Sequence, residues 1–194
     1  MRWGIGAAVL VGGRGERMFG FEKPLARARG RCIVERVVSA LRKIGLRVVG
    51  VANPLNARLY EELELFDSVL VDKLCIGPLS GVLEALRLFS EVLAIGGDTV
   101  LLDTSRVEEL LSECSSSMSV DVCCFRFRGF IEPLPAVYRK GFAEVAQSLI
   151  ARGMYSLQRA IRSARALVID LRELPWRDVD TFEDLRAIEE MTVL

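Results

Sequence analysis

The sequence predicts an α/β fold: a three-layer sandwich in which helices cover both faces of a mainly parallel, Rossmann-like twisted sheet. Strand-like and helix-like segments alternate at least four times along the 194 residues, the pattern that sets crossover helices between parallel strands. The strand-like segments are continuous apolar runs, such as Ala8-Val-Leu-Val11 and Val92-Leu-Ala-Ile95, as strands buried on both faces require. The helix-like segments repeat their apolar residues at three-and-four spacing. One domain spanning residues 1–194 is expected, long enough to bury a real core.

The first strand runs into a loop with Gly12, Gly13, Gly15 and Gly20, two arginines (Arg14 and Arg17), and a closing Lys23-Pro24-Leu25. Glycines let backbone N–H groups face a ligand with no Cβ in the way. Such groups, together with Arg and Lys, are the usual means of holding a polyphosphate. A P-loop is excluded, because no Gly-Lys-Ser/Thr follows Gly12 or Gly13 at the required distance. A Rossmann fingerprint is excluded too, since Met18 stands where its third glycine belongs and no acid closes the second strand.

Residues 31–43 read as a helix burying Ile33, Val34, Val37, Val38 and Leu41, ended by Gly45. A second strand, 46–52, closes at Asn53-Pro54, and Asn56 caps a helix carrying Leu59, Leu63 and Phe66. A strand over 68–71 leads to Asp72. Gly77-Pro78-Leu-Ser-Gly81 then opens a helix with Val82, Leu83, Leu86 and Phe89 inward, Pro78 sitting at its first position. The strand 92–95 ends in Gly96-Gly97-Asp98-Thr99, and Thr104 or Ser105 caps a helix with Val107, Leu110 and Leu111. A serine-rich break is expected over 112–119, a strand over 120–125 and a charged loop over 126–132. The prolines of 133–138 suit a short edge piece. Helices over 142–152 and 156–164, a strand over 167–169, a loop over 177–180 and a helix capped by Thr181 complete the chain.

Twenty-six basic and twenty-six acidic residues leave no net charge, which argues against broad binding to nucleic acid. No apolar run reaches the length of a membrane span and no signal peptide is visible, so a cytoplasmic protein without membrane contact is expected. The five cysteines, with no Cys-x-x-Cys spacing, read as reduced thiols rather than disulfides or a zinc site. With no histidine anywhere, Ser-His-Asp and Cys-His chemistry are excluded. Any catalysis rests on carboxylates, Arg, Lys and backbone groups. Only four lysines stand among the twenty-six basic residues, one of them inside the glycine loop; its compact charge suits a moving phosphate.

In parallel sheets ligands sit at the carboxyl ends of the strands. That rim should gather the loop 12–23, Asn53, Asp72 and Asp98. Asp98 could hold Mg²⁺ against a triphosphate, or only cap a turn. Asp180 could add a second oxygen, or be a plain acid at a helix start. Asp178 is a weaker candidate. Asn53 and Asp72 could contact the nucleoside or serve as turn residues. Arg126 and Arg128 read better as a solvated loop than as contacts to an anionic second substrate.

Several of these pieces together resemble the molybdenum cofactor guanylyltransferases, the MobA-type branch of the nucleotidyltransferases. They are Leu10-Val-Gly-Gly13 through Lys23-Pro24-Leu25, Gly77-Pro-Leu-Ser-Gly81, Gly97-Asp98-Thr99, Glu132-Pro-Leu-Pro-Ala-Val-Tyr138 and Asp178-Val-Asp180-Thr-Phe-Glu-Asp184-Leu185. The resemblance implies a fold of the nucleotide-diphospho-sugar transferase type, with GTP as donor and molybdopterin, as its molybdenum cofactor, as acceptor. It implies Leu10, Gly12, Gly13, Lys23, Asn53 and Asp72 as nucleotide contacts and Asp98 as the Mg²⁺ ligand. Lys23, Arg17 and Asp98 would carry catalysis, Asp98 and Asp180 the metal. Transient contact with a molybdoenzyme or other cofactor-pathway proteins also follows. The chain departs from the family's Cys-Asp-x-Pro at Gly97-Asp98-Thr99-Val100, and from Asn-x-Asn-Thr at 178–181. Gly20-Phe-Glu-Lys-Pro-Leu25 is also similar to an archaeal guanylyltransferase acting on adenosylcobinamide phosphate. A cofactor-delivery protein that binds the nucleotide without turnover is the alternative from another class.

Overall fold

The computed structural model describes residues 5–13, 23–28, 30–179 and 183–184. Its strands, in chain order, begin with β1 (Gly6–Leu10), β2 (Arg27–Ala28), β3 (Arg31–Cys32), β4 (Arg47–Ala52), β5 (Ser68–Val71) and β6 (Glu91–Gly96). They continue with β7 (Thr99–Val100), β8 (Val122–Phe127), β9 (Phe130–Arg139), β10 (Ala166–Leu171) and β11 (Arg177–Asp178). The helices are α1 (Ile33–Lys43), α2 (Ala57–Glu62), α3 (Pro78–Leu88), α4 (Thr104–Ser116), α5 (Lys140–Ala151) and α6 (Leu157–Arg162).

Seven strands form the central sheet in the order β10-β8-β9-β6-β1-β4-β5. All run parallel except β9, which lies antiparallel between β6 and β8. Period-two alternation divides the sheet's side chains between two cores. Ala7, Val9, Val48 and Ile95 face α1, α2 and α4, while Ala8, Val49, Val92 and Ala94 face α3, α5 and α6. The predicted three-layer arrangement is therefore present. The chain builds β4 and β5 on one side of β1, then crosses back to β6 on the other. The carboxyl ends of β1 and β6 flank that crossover, with Leu10 and Gly96 in register, where ligands of such sheets bind.

Four local expectations need correction. The charged segment 126–132 is not a loop: β8 and β9 form a hairpin closed by Arg128 and Gly129 at φ 50° and 84°, the left-handed pair that a two-residue turn demands. Nor is 133–138 an edge piece. Its prolines are tolerated in the interior because the ladder skips them: Cys124 pairs with Ala136 and Phe125 with Glu132, leaving 133–135 in a bulge. The inward face of α2 is Ala57 and Tyr60, with Leu59 and Leu63 exposed, because buried Asn56 turns inward and sets the phase of the helix. Helix α4 continues through the serine-rich stretch to Ser116 and is capped by Asp103, whose carboxylate accepts the Ser105 N–H. Serine is only mildly unfavourable in a helix, and Cys114, buried on the inner side, fixes that last turn.

The cysteines also differ from expectation. Cys114 and Cys123 form a disulfide joining α4 to β8, while Cys32, Cys75 and Cys124 are free. Burial pushes the Cys124 thiol up to about 12, against the opposing pull of Arg126, so it is not a thiolate at neutral pH. At the same end of the sheet Arg139 donates to the carbonyls of Cys114 and Ser117, both at 2.6 Å, and pairs with Glu91 at 3.1 Å. Replacing Cys114 and Cys123 together by alanine is expected to cost roughly 2–3 kcal/mol, the chain-entropy contribution of so short a loop. Urea melts of the oxidised wild type and the double variant measure it. Among the described residues no helix is long and apolar enough to cross a membrane.

Candidate active site

At the end of β1 the backbone is gripped from both sides. The Val11 N–H donates to the Val51 carbonyl at 2.8 Å, and the Gly97 N–H donates to the Leu10 carbonyl at 3.0 Å. Leu10 and Gly12 are half-buried and Gly13 is exposed. A Cβ at position 12 would stand 3.1 Å from the Asn53 nitrogen, so the close approach of the β1 and β4 ends leaves little room for a side chain there.

Asn53 and Asp72 lie on this rim, and both are nearly buried. Asn53 donates through Nδ2 to the Gly12 carbonyl at 3.0 Å, and its Oδ1 accepts the Leu55 and Asn56 N–H groups. Asn56 returns the arrangement, donating to the Val11 carbonyl at 2.9 Å and accepting the Asn53 N–H. Asp72 accepts the Leu74 and Cys75 N–H groups on Oδ1 and the Ser80 hydroxyl on Oδ2 at 2.6 Å. These side chains thus shape the start of the glycine loop and the start of α3. Asn56 and Ser80 belong to that scaffold, and neither was singled out as more than a cap or helix-start residue.

Lys23 opens a single 3-10 turn, Lys23–Leu25, and is half-buried. The turn sits against the Asp98 loop: a Cβ at Gly97 would lie 3.2 Å from Pro24 Cγ and from the Leu10 carbonyl oxygen. A small separate core of Ala26, Ile33, Val100 and Val179 packs behind both. The Ala26 N–H donates to the Lys23 carbonyl at 3.0 Å, which ties that core to the lysine. Lys23 and Asp98 therefore stand on neighbouring loops at one rim of the sheet. Arg17 and Asp180 lie outside the described residues.

Asp98 is half-buried, and its Oδ1 folds to within 2.7 Å of the place a Cβ would occupy at Gly96; the glycine makes that room. The Asp98 carbonyl accepts the Val179 N–H at 3.0 Å, and the Thr99 hydroxyl donates to Asp178 Oδ1 at 2.8 Å. Glu132, opposite Phe125 in the ladder, has its carboxyl pushed up by burial and by the Asp178 charge. So Asp178 and Glu132 join this corner, although the sequence placed one as a weak candidate and the other in a loop. Its place at the head of Glu132-Pro-Leu-Pro-Ala-Val-Tyr138, one of the pieces that carry the family resemblance, is the signal that points to Glu132. Arg126 is held in a two-pronged pair with Asp170 at 2.6 and 2.7 Å, in line with its reading as a surface residue.

A parallel sheet with a glycine rim and a lysine turn packed on an aspartate loop defines a nucleotidyltransferase-like protein. The chain belongs to the MobA-like NTP transferase domain family, whose sequence model matches residues 7–167. A relative from Thermococcus gammatolerans, named a probable molybdenum cofactor guanylyltransferase, is 39% identical over 189 residues, covering 92% of this chain and 95% of its own. One of the same name from Pyrococcus horikoshii is 36% identical over 192 residues, covering 94% and 97%. The crystal structure of molybdopterin-guanine dinucleotide biosynthesis protein A from Archaeoglobus fulgidus matches the fold with a TM-score of 0.80 at 22% identity, covering 96% of this chain and 97% of its own.

Proposed function

We propose that the protein transfers GMP from GTP to the terminal phosphate of molybdopterin, or of its molybdenum cofactor, with release of pyrophosphate. The single observation that carries this reading is the packing of the Lys23 turn against the Asp98 loop at the end of β1, in a chain whose relatives are named for that reaction. Those relatives cover more than nine-tenths of the chain, so the cobinamide alternative is not favoured.

In this reading an oxygen of the acceptor phosphate attacks the α-phosphorus of GTP in line. The bond to the β-phosphate oxygen breaks, and the electron pair leaves with pyrophosphate. The glycine-loop amides, Lys23 and Arg17 hold the phosphates and neutralise charge on the departing group. Gly12 and Gly13 let the nucleotide approach the backbone beside Leu10. Asn53 and Asp72 support the surface beneath it. The donor set suits Mg²⁺: oxygen ligands only, and a carboxylate set in room that a Cβ at Gly96 would fill. One or two carboxylates together with substrate phosphates suffice to hold such an ion. Asp98 would hold it, with Asp180 as the second candidate. When bound, the ion supplies positive charge to the phosphate oxygens.

The test is pyrophosphate release by the purified protein with GTP, Mg²⁺ and molybdopterin, with the nucleotide product identified by mass. Release that requires all three, with formation of the guanine dinucleotide, is the expected result. GTP binding without release would support the non-catalytic delivery protein instead. Equal use of CTP would overturn the choice of base.

A further inference from the structure

The chain around Asp98 is fixed at more points than its position at a strand end requires. Gly97 ties it to β1, and the Asp98 carbonyl takes the Val179 N–H. The next residue, Thr99, pairs with Asp178 in the short β7–β11 ladder, Val100 pairing with Arg177. Asp178 lies 79 residues further along the chain. The strap that carries it is itself anchored twice. The Asp103 N–H donates to the Pro175 carbonyl at 2.8 Å, and Trp176 packs on Phe125 with ring centres 5.7 Å apart. Val179 then enters the small core behind the Lys23 turn. Thr99 is 2% exposed while Asp178 is exposed, so the pair holds the exposed strap to a fixed inner side chain. The strap begins beyond residue 167, where the family match ends.

We propose that Thr99 and Asp178 are positioning residues for the transfer: their hydrogen bond is a clasp that fixes the Asp98 carboxylate in the orientation in which it receives the metal–nucleotide complex. This rests on the function proposed above. Asp178 acts here as an acceptor for a hydroxyl, and its effect reaches the substrate only through Asp98. A side chain that must meet a cation loses most when its orientation is left free.

The experiment is a titration of the full chain with Mn²⁺ in the presence of GTP, followed by electron paramagnetic resonance, with no acceptor added. Thr99→Val and Asp178→Ala are each expected to weaken Mn²⁺ binding about ten-fold, the worth of one hydrogen bond to a carboxylate. The double variant should fall no further, and metal-free GTP binding should stay within about two-fold. Thr99→Ser restores the donor, and Asp178→Asn keeps an acceptor oxygen, so both should remain close to wild type. Unchanged Mn²⁺ affinity in Thr99→Val overturns the clasp. So does a Thr99→Ser variant as weak as Thr99→Val, which would make the methyl packing responsible. An Asp178→Asn variant as weak as Asp98→Asn also overturns it, because Asp178 would then be a ligand. If wild type takes up no Mn²⁺ with GTP, the proposed function fails first and the clasp with it.

Discussion

Lys23→Ala lowers pyrophosphate release by about 10²–10³-fold with GTP and Mg²⁺ saturating, the usual cost of removing one group aimed at charge that develops in a transition state. The effect belongs in kcat, because the phosphates gain most of their negative charge on the leaving side as the bond breaks. Lysine supplies a compact charge with three donors, and the 3-10 turn that carries it is braced by the Ala26 N–H and the core of Ala26, Ile33, Val100 and Val179. Truncating the side chain beyond Cβ leaves that bracing intact, so the variant should fold normally, with a melting temperature within a few degrees of wild type. Steady-state rates under saturating substrate check it. A rate within three-fold of wild type would remove Lys23 from the mechanism.

Asp98→Asn removes Mg²⁺-dependent turnover, a loss of about 10³-fold, the upper end of what deleting one electrostatic partner costs. The substitution is isosteric, so it keeps the space beside Gly96 and the backbone bonds to Val179 and, through Gly97, to Leu10. What changes is the charge, and a hard cation discriminates sharply between a carboxylate and an amide. Titrating Mg²⁺ against the rate of the variant reads this directly. A normal Mg²⁺ response would place the ligand elsewhere.

The residues of the glycine loop were legible because their chemistry is local. Gly12, Gly13, Lys23 and Pro24 lie within one stretch of sequence, and Asp98 follows its strand after two glycines. The sheet was legible for the same reason, since continuous apolar runs separated by amphipathic helices admit few arrangements. What could not be read depends on partners distant in the chain. The amide of Asn53 meets a carbonyl 41 residues earlier, and Thr99 meets a carboxylate 79 residues later. No spacing rule relates them. The direction of β9 was hidden because three of its residues are looped out of the ladder, which broke the alternation that would have announced a long strand. The disulfide was missed because Cys114 and Cys123 share no motif; α4 and β8 bring them together only after the sheet has formed.

The reversal of β9 has a geometric result of its own. Its ladder with β6 ends at Ala94 and Ala136, while β6 goes on to Gly96. Past that point the ladder stops, and the bulge at 133–135 is tied instead by the Tyr138 hydroxyl, which donates to the Pro133 carbonyl at 2.6 Å. The rim formed by β1, β4 and β5 lies on the other side of β6 and shares no ladder with β9. Lengthening or trimming the β8–β9 hairpin would reshape the β9 side of the rim while β1, β4 and β5 keep their own pairing. One reversed strand thereby divides the sheet into a side open to change and a side whose ladders are independent of it.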